Sequence, residues 1–201
     1  MKGFAIAGAL LASLCAASPA LASSEGALTT EAAATLTPND FVWHDTGQTG
    51  DVRIVVSIAD QRAYVYRDSA LVAVSTVSTG KEGKDTPVGV YPILQKNKMH
   101  RSNLYNSAPM PFMQRLTWDG IAIHAGKNPG FPASHGCIRV PTAFAQKLFE
   151  VTTVGTTVEV TDAPVDADGA QTPSDDLVPD DVRADAKTAK ANDSQLASLD
   201  R

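Results

Sequence analysis

Short runs rich in β-branched and aromatic side chains, each closed by turn formers within a few positions, limit what residues 51–161 can fold into. Residues 52–58 are dense in Val and Ile. In 62–66, Ala63 and Val65 alternate with Tyr64 and Tyr66. Asp68-Ser69 reads as a turn, and 71–78 returns as another strand. A glycine-bearing loop, 79–87, leads into a further run at 89–94. Strands this short and this closely spaced predict a mainly β domain, an antiparallel sandwich or barrel-like arrangement. Residues 97–111 are polar and carry Pro109 and Pro111. They read as a long irregular loop, and loops of that length are more often functional than idle. Residues 112–118 form the next expected strand, with Asp119-Gly120 as a hairpin turn into a strand that ends at His124. One helix is expected over 143–152, with Thr142 as N-cap and Phe144, Leu148, Phe149 and Val151 on its apolar side. Gly155 is expected to end it before a closing strand at 156–161.

The chemistry concentrates in Ile121-Ala-Ile-His-Ala-Gly-Lys-Asn-Pro-Gly-Phe-Pro-Ala-Ser-His-Gly-Cys-Ile-Arg-Val140. A thiol, Cys137, and two imidazoles, His124 and His135, meet in one loop punctuated by glycine and proline. A free thiol is only a few per cent ionised at neutral pH, and the thiolate is the nucleophile, so a neighbouring imidazole has a clear use as base. His124 stands at a strand end, and the intervening loop can fold its ring back beside the sulfur. His135, two residues before Cys137 in a turn, is less well placed. The second nitrogen of His124 needs a partner to fix its tautomer, and the Ala125 carbonyl is a candidate. Gly136 permits a tight turn whose amides, from His135, Gly136 and Cys137, would converge as an oxyanion hole. Arg139 can hold a substrate carboxylate near the same mouth. His-X10-His-X-Cys supplies at most three metal ligands at an unfamiliar spacing, so no metal is expected. His44 and His100 fall in expected loops and read as solvated.

Residues 1–22 read as a secretory leader: Lys2, an apolar core over 3–17, and Ala20-Leu21-Ala22 before Ser23. The apolar run is too short to span a membrane. A lipoprotein reading of Cys15 is disfavoured by the bulky Leu14. With that leader removed, Cys137 is the sole cysteine, which rules out an internal disulfide and makes a functional thiol the better reading. Residues 23–50, rich in Ala, Thr and Ser, are expected to be a flexible linker, although Phe41 and Trp43 are able to dock on the domain. From Asp162 onward ten Asp face four basic residues in an acidic tail expected to be disordered. The formal charge of -5 therefore comes from the tail, and the central region is near neutral. It shows no basic face for nucleic acid and no amphipathic membrane segment.

His124 followed by Ser134-His135-Gly136-Cys137-Ile138-Arg139 resembles the signature of the L,D-transpeptidase catalytic domain family (YkuD-type), in a subgroup with a Pro-Ala-Ser-His-Gly-Cys loop. Ser78-Thr79-Gly80 and Thr86-Pro87-Val88-Gly89-Val90-Tyr91 are similar to that family's preceding strand and loop. The likeness covers residues 51–161, and the loop from His124 to Ser134 is somewhat shorter than in many members. The resemblance implies the family's β-sandwich or barrel-like domain with one helix after the cysteine loop. It also implies a periplasmic or cell-envelope enzyme that needs no cofactor. Cys137 would attack a peptidoglycan tetrapeptide stem and expel D-Ala, with His124 as proton acceptor and donor and Ser134, His135 and Gly136 shaping the loop. Arg139, Gly126, Arg115 and Trp118 are expected on the substrate-binding surface. The thioester would pass to the amine of another stem, giving a 3→3 crosslink. Other acceptors in the family are an envelope lipoprotein or outer-membrane protein amine, a D-amino acid, or water.

A sortase-like enzyme would place its His and Cys much further apart, and a papain-like one would place the cysteine first. A non-catalytic wall-binding module would have no need of the Cys137–His124 pair.

Overall fold

The computed structural model describes residues 35–45, 49–103 and 106–165. The β-branched runs form the strands they predict. β2 (Val52–Ser57), β3 (Arg62–Arg67) and β4 (Ala70–Thr76) make an antiparallel meander, with Ile54 opposite Val65 and Val65 opposite Ala73. β1 (Phe41–Trp43) adds to the edge of β4. β10 (Thr157–Thr161) inserts between β2 and β5 (Gly89–Pro92), giving a six-stranded sheet in the order β1-β4-β3-β2-β10-β5. A second sheet runs β6 (Gln95–Arg101), β7 (Pro109–Arg115), β8 (Ala122–Ala125), β9 (Ile138–Val140). Ile93 and Leu94 carry the chain between sheets, donating their amides to Thr156 and Arg115 respectively. The inward side chains, among them Ile54, Val56, Val65, Ile123, Ile138 and Val140, are fully buried and form one core with helix α1 (Thr142–Val151).

The architecture corrects several expectations. It is not wholly antiparallel, because β10 runs parallel to β2 and β9 parallel to β8. Each parallel neighbour arrives after a long connection, and short-range sequence patterns do not encode such pairings. Residues 97–111 are not an irregular loop. Most of them belong to the β6–β7 hairpin, whose first strand is almost entirely polar and solvent-facing. Phe112, at a φ of 56°, interrupts the alternation of the second strand. Part of the expected 23–50 linker is folded: Phe41 and Trp43 set their rings edge-on against Phe144 of α1, at 5.7 and 5.6 Å between centroids.

The N-cap of α1 is Pro141, extended and without a side-chain cap, and Thr142 is already helical. The Pro141 carbonyl takes the Ala145 amide, so the chain leaves β9 and turns straight into the helix. The helix ends at Val151 and Thr152, and Gly155 belongs to the turn that follows. α1 has no basic residue in its last turn. Lys96 of β6 supplies one instead, donating to the carbonyls of Phe149 and Thr152 at 2.6 Å each, a favourable place for a cation. No helix among the described residues is long and apolar enough to cross a membrane. The expected leader, 1–22, and the acidic tail beyond residue 165 lie outside the described residues.

Candidate active site

Two parallel strands bring the chemistry together. Ile123 pairs with Ile138 and His124 with Arg139. Successive strand residues point to opposite faces, and both isoleucines enter the core. His124 and Arg139 therefore face the other way, joined by Ala122 and by Cys137, which immediately precedes β9. That face opens into a cavity of about 620 Å³ lined by Cys137, His124, Arg139, Ser134 and His135. Gly126, Arg115 and Trp118 also line it, so every expected site residue except Gly136 is at the cavity.

The turn before Cys137 is braced from within. The Ser134 hydroxyl donates to the Cys137 carbonyl at 2.6 Å and accepts the Gly136 amide at 3.0 Å. This corrects the expected oxyanion hole: the Gly136 N–H is taken by Ser134 and is not aimed at substrate. Gly136 sits at a φ of 116°, and a Cβ there would meet Ile121 Cδ1 at 2.8 Å, so glycine is required on both counts. Behind the turn, residues 78–80 lie against it. Ser78 exchanges backbone hydrogen bonds with Arg139, and the Thr79 carbonyl accepts the Ser134 amide at 3.0 Å.

His124 is 7% exposed. Its Nδ1 lies 2.8 Å from the Ala125 carbonyl. A carbonyl only accepts, so Nδ1 carries the proton and Nε2 keeps its lone pair. Burial pushes the imidazole below its ordinary range. The Ala125 hydrogen bond works against that shift, while the charges of Arg139 and His100 add to it. His124 is consequently neutral near pH 7 and able to accept a proton. Burial pushes the Cys137 thiol up, opposed by the Ala122 backbone and by Arg115 and Arg139. The thiol donates to the Gly120 carbonyl at 3.3 Å. Among the described residues no three His, Cys, Asp or Glu are grouped to hold a metal ion.

The walls are predominantly cationic. Arg139 lays its stem across Gly126, where a Cβ would come within 3.0 Å of Arg139 Cδ. Its Nη2 donates to Ser78 Oγ, while its buried Nε has no partner among the described residues. Arg115 donates to Gln95 and sits 5.8 Å from the ring of Trp118, which is 59% exposed at the mouth. Lys127 also lines the cavity, against one carboxylate, Asp119. Met110 and Met113 form an apolar patch with Ala122 beside Cys137. His100 is a correction: it is a β6 residue facing this cavity, and burial and Arg115 lower its pKa. The length of the 97–111 stretch signalled a functional segment, but without its strand pairing nothing marked which side chains face inward.

The sequence model of the L,D-transpeptidase catalytic domain (YkuD) matches residues 51–160. A probable L,D-transpeptidase, YbiS, of Escherichia coli K12 is 29% identical over 156 residues, 65% of this chain and 50% of the relative. The chain thus spans about half the length of the curated relatives it matches. An L,D-transpeptidase structure from Stackebrandtia nassauensis superposes with a TM-score of 0.51 at 25% identity, covering 57% of each chain. Another, the L,D-transpeptidase LdtMt1 in complex with imipenem, gives 0.51 at 25% identity, covering 55% of this chain and 58% of the other. His124 on β8 and Cys137 just before the parallel β9 lining one cavity, the braced Ser-His-Gly-Cys turn and a sequence match over more than half its length agree: the chain belongs to the L,D-transpeptidase catalytic domain family.

Proposed function

We propose that the protein is an exported cysteine acyltransferase acting on peptidoglycan tetrapeptide stems. The observation that carries this reading is a buried imidazole with its Nε2 lone pair free, in the same cavity as a part-buried thiol, the one cysteine among the described residues. Cys137 gives its proton to His124 Nε2 and attacks the carbonyl at the L-centre of the stem's diaminopimelate. As the tetrahedral intermediate collapses, the peptide C–N bond breaks. The departing D-Ala amine takes the proton from His124, leaving a Cys137 thioester. An amine of a second stem then attacks, gives a proton to His124, and the C–S bond breaks to return the thiol. The product is a 3→3 crosslink.

Diaminopimelate and the terminal D-Ala both carry carboxylates, and Arg115, Lys127 and Arg139 give the cavity a complementary charge. The unpartnered Arg139 Nε supports a role in holding one of them. Trp118 at the mouth offers an exposed ring beside the same cations.

Purified protein incubated with disaccharide-tetrapeptide is expected to yield crosslinked dimer by mass analysis. Tripeptide alone would assign the enzyme to hydrolysis, and exchanged D-amino acid to exchange. A carbapenem should add covalently to the intact protein and not to Cys137→Ala. His124→Ala is expected to slow that acylation about 10²- to 10⁴-fold while the fold persists. An adduct on Cys137→Ala would remove Cys137 from the mechanism. An undiminished rate in His124→Ala would move the base to His135.

A further inference from the structure

The nucleophile's turn is held from outside by a residue that the Cys137–His124 pair does not account for. Thr86 is 4% exposed and lies in the loop after β4. Its Oγ1 is 2.8 Å from the Gly80 amide and 2.8 Å from the Gly136 carbonyl. The Gly80 N–H donates to a lone pair of the hydroxyl, so the one hydroxyl proton goes to Gly136. The loop that carries Thr86 is itself anchored. The Gln61 carboxamide grips Thr79 twice, its oxygen accepting the Thr79 amide at 3.1 Å and its Nε2 donating to Thr79 Oγ1 at 2.7 Å.

The Gly136 carbonyl belongs to the same peptide unit as the Cys137 N–H. The described peptide bonds include no cis bond, and in a trans unit the C=O and N–H point in opposite directions. Fixing the oxygen on Thr86 therefore turns the Cys137 amide away from Thr86. Cys137 lines the cavity and Thr86 does not. None of the turn's hydrogen bonds engages the Cys137 amide: Ser134 takes the Gly136 amide and the Cys137 carbonyl instead. With a glycine at 136 this peptide unit is free to rotate at its N-terminal side, and Thr86 is the contact that stops it.

We propose that Thr86 is a positioning residue for acyl transfer, holding the Gly136–Cys137 peptide plane so that the Cys137 amide faces the cavity and donates to the oxyanion of the tetrahedral intermediate. This rests on the acyl-transfer reading above. Of the three amides expected to form the oxyanion hole it removes that of Gly136, which is occupied, keeps that of Cys137, and makes that donor depend on a hydroxyl that touches no substrate.

Two reactions of the same thiol separate this role from a general structural one. Carbapenem acylation passes through an oxyanion. Alkylation by iodoacetamide displaces iodide at a saturated carbon and forms none. In Thr86→Val, nearly the same shape without the hydroxyl, acylation is expected to fall about 10- to 100-fold, below the loss typical of deleting an oxyanion donor outright. Iodoacetamide alkylation and its pH profile should stay within about twofold of the unsubstituted protein, whereas acylation falls further than a merely loosened fold explains. Thr86→Ser, which keeps the hydroxyl, should recover acylation. If Thr86→Val does not melt cooperatively, Thr86→Ala replaces it with the same expectations. Unchanged acylation in the hydroxyl-less variant, or alkylation falling in step with acylation, overturns the proposal. If the unsubstituted protein is not acylated at all, the acyl-transfer reading fails and this proposal fails with it.

Discussion

At the scale of single residues, the reactive pair rests uncharged. Burial moves His124 below 6.5 and Cys137 upward, so a neutral thiol and a neutral imidazole are favoured over a thiolate–imidazolium pair. In the proposed mechanism proton transfer then accompanies attack, with His124 as general base. Carbapenem acylation should accordingly rise along an acid limb centred below pH 6.5 and be flat across neutrality. The same burial links to stability. Between the lowered native pKa and 6.5, the unfolded chain binds a proton that the folded His124 refuses, so stability is full above that window and falls as pH drops through it. Thermal melts from pH 7.5 to 5 should show this decline, shallower in His124→Gln. Equal slopes in the two proteins would contradict it. The tautomer that makes Nε2 the base was readable from the chain, because the neighbouring Ala125 carbonyl is within reach of a histidine at a strand end.

At the scale of elements, the Ser134–Cys137 turn is more constrained than its four residues indicate. Gly136→Ala forces a left-handed φ on alanine and drives its Cβ into Ile121. The cost should be about 1–3 kcal/mol by urea denaturation, with a larger proportional loss of acylation because the turn carries the nucleophile. Acylation at the unsubstituted rate would show that the turn tolerates another path. Strands β2 to β4 were legible because their apolar residues alternate or run continuously into one core. β6 was not, because Gln95–Arg101 offers no apolar face and is held by pairing with β7. Pairing across a hairpin does not require hydrophobic residues on both strands. The helix was legible from Phe144 and Leu148 at its core-facing side, whereas its start was misread because Thr142 carries a capping residue's chemistry without making the cap.

At the scale of the molecule, the six-stranded sheet extends further toward the N-terminus than the family model's match does. The family match begins at residue 51, yet β1 lies at 41–43 and covers Phe144. Removing the chain through residue 49 should uncover that ring and lower stability by at least about 2 kcal/mol, from two edge-to-face contacts and the apolar area they bury. A chain beginning at residue 35 keeps β1 and Leu36 and is the control. Equal urea midpoints for the two would show that β1 is dispensable. Arg139 illustrates the same dependence on the whole: its guanidinium is held by the hydroxyl of Ser78, 61 residues earlier.

The sequence alone determined the β class, the single helix and the family, and it singled out Cys137 and His124 as the pair proposed to react, because these rest on local periodicity and on a compact run of reactive residue types. Tertiary structure decided the rest. It set β9 parallel to β8, which places His124 and Cys137 on one face, brought His100 and the cationic walls around them, and engaged the Gly136 amide within the turn. These outcomes depend on which distant segments pair and which donors are already satisfied. Such conditions belong to the folded molecule and leave no trace in residue spacing.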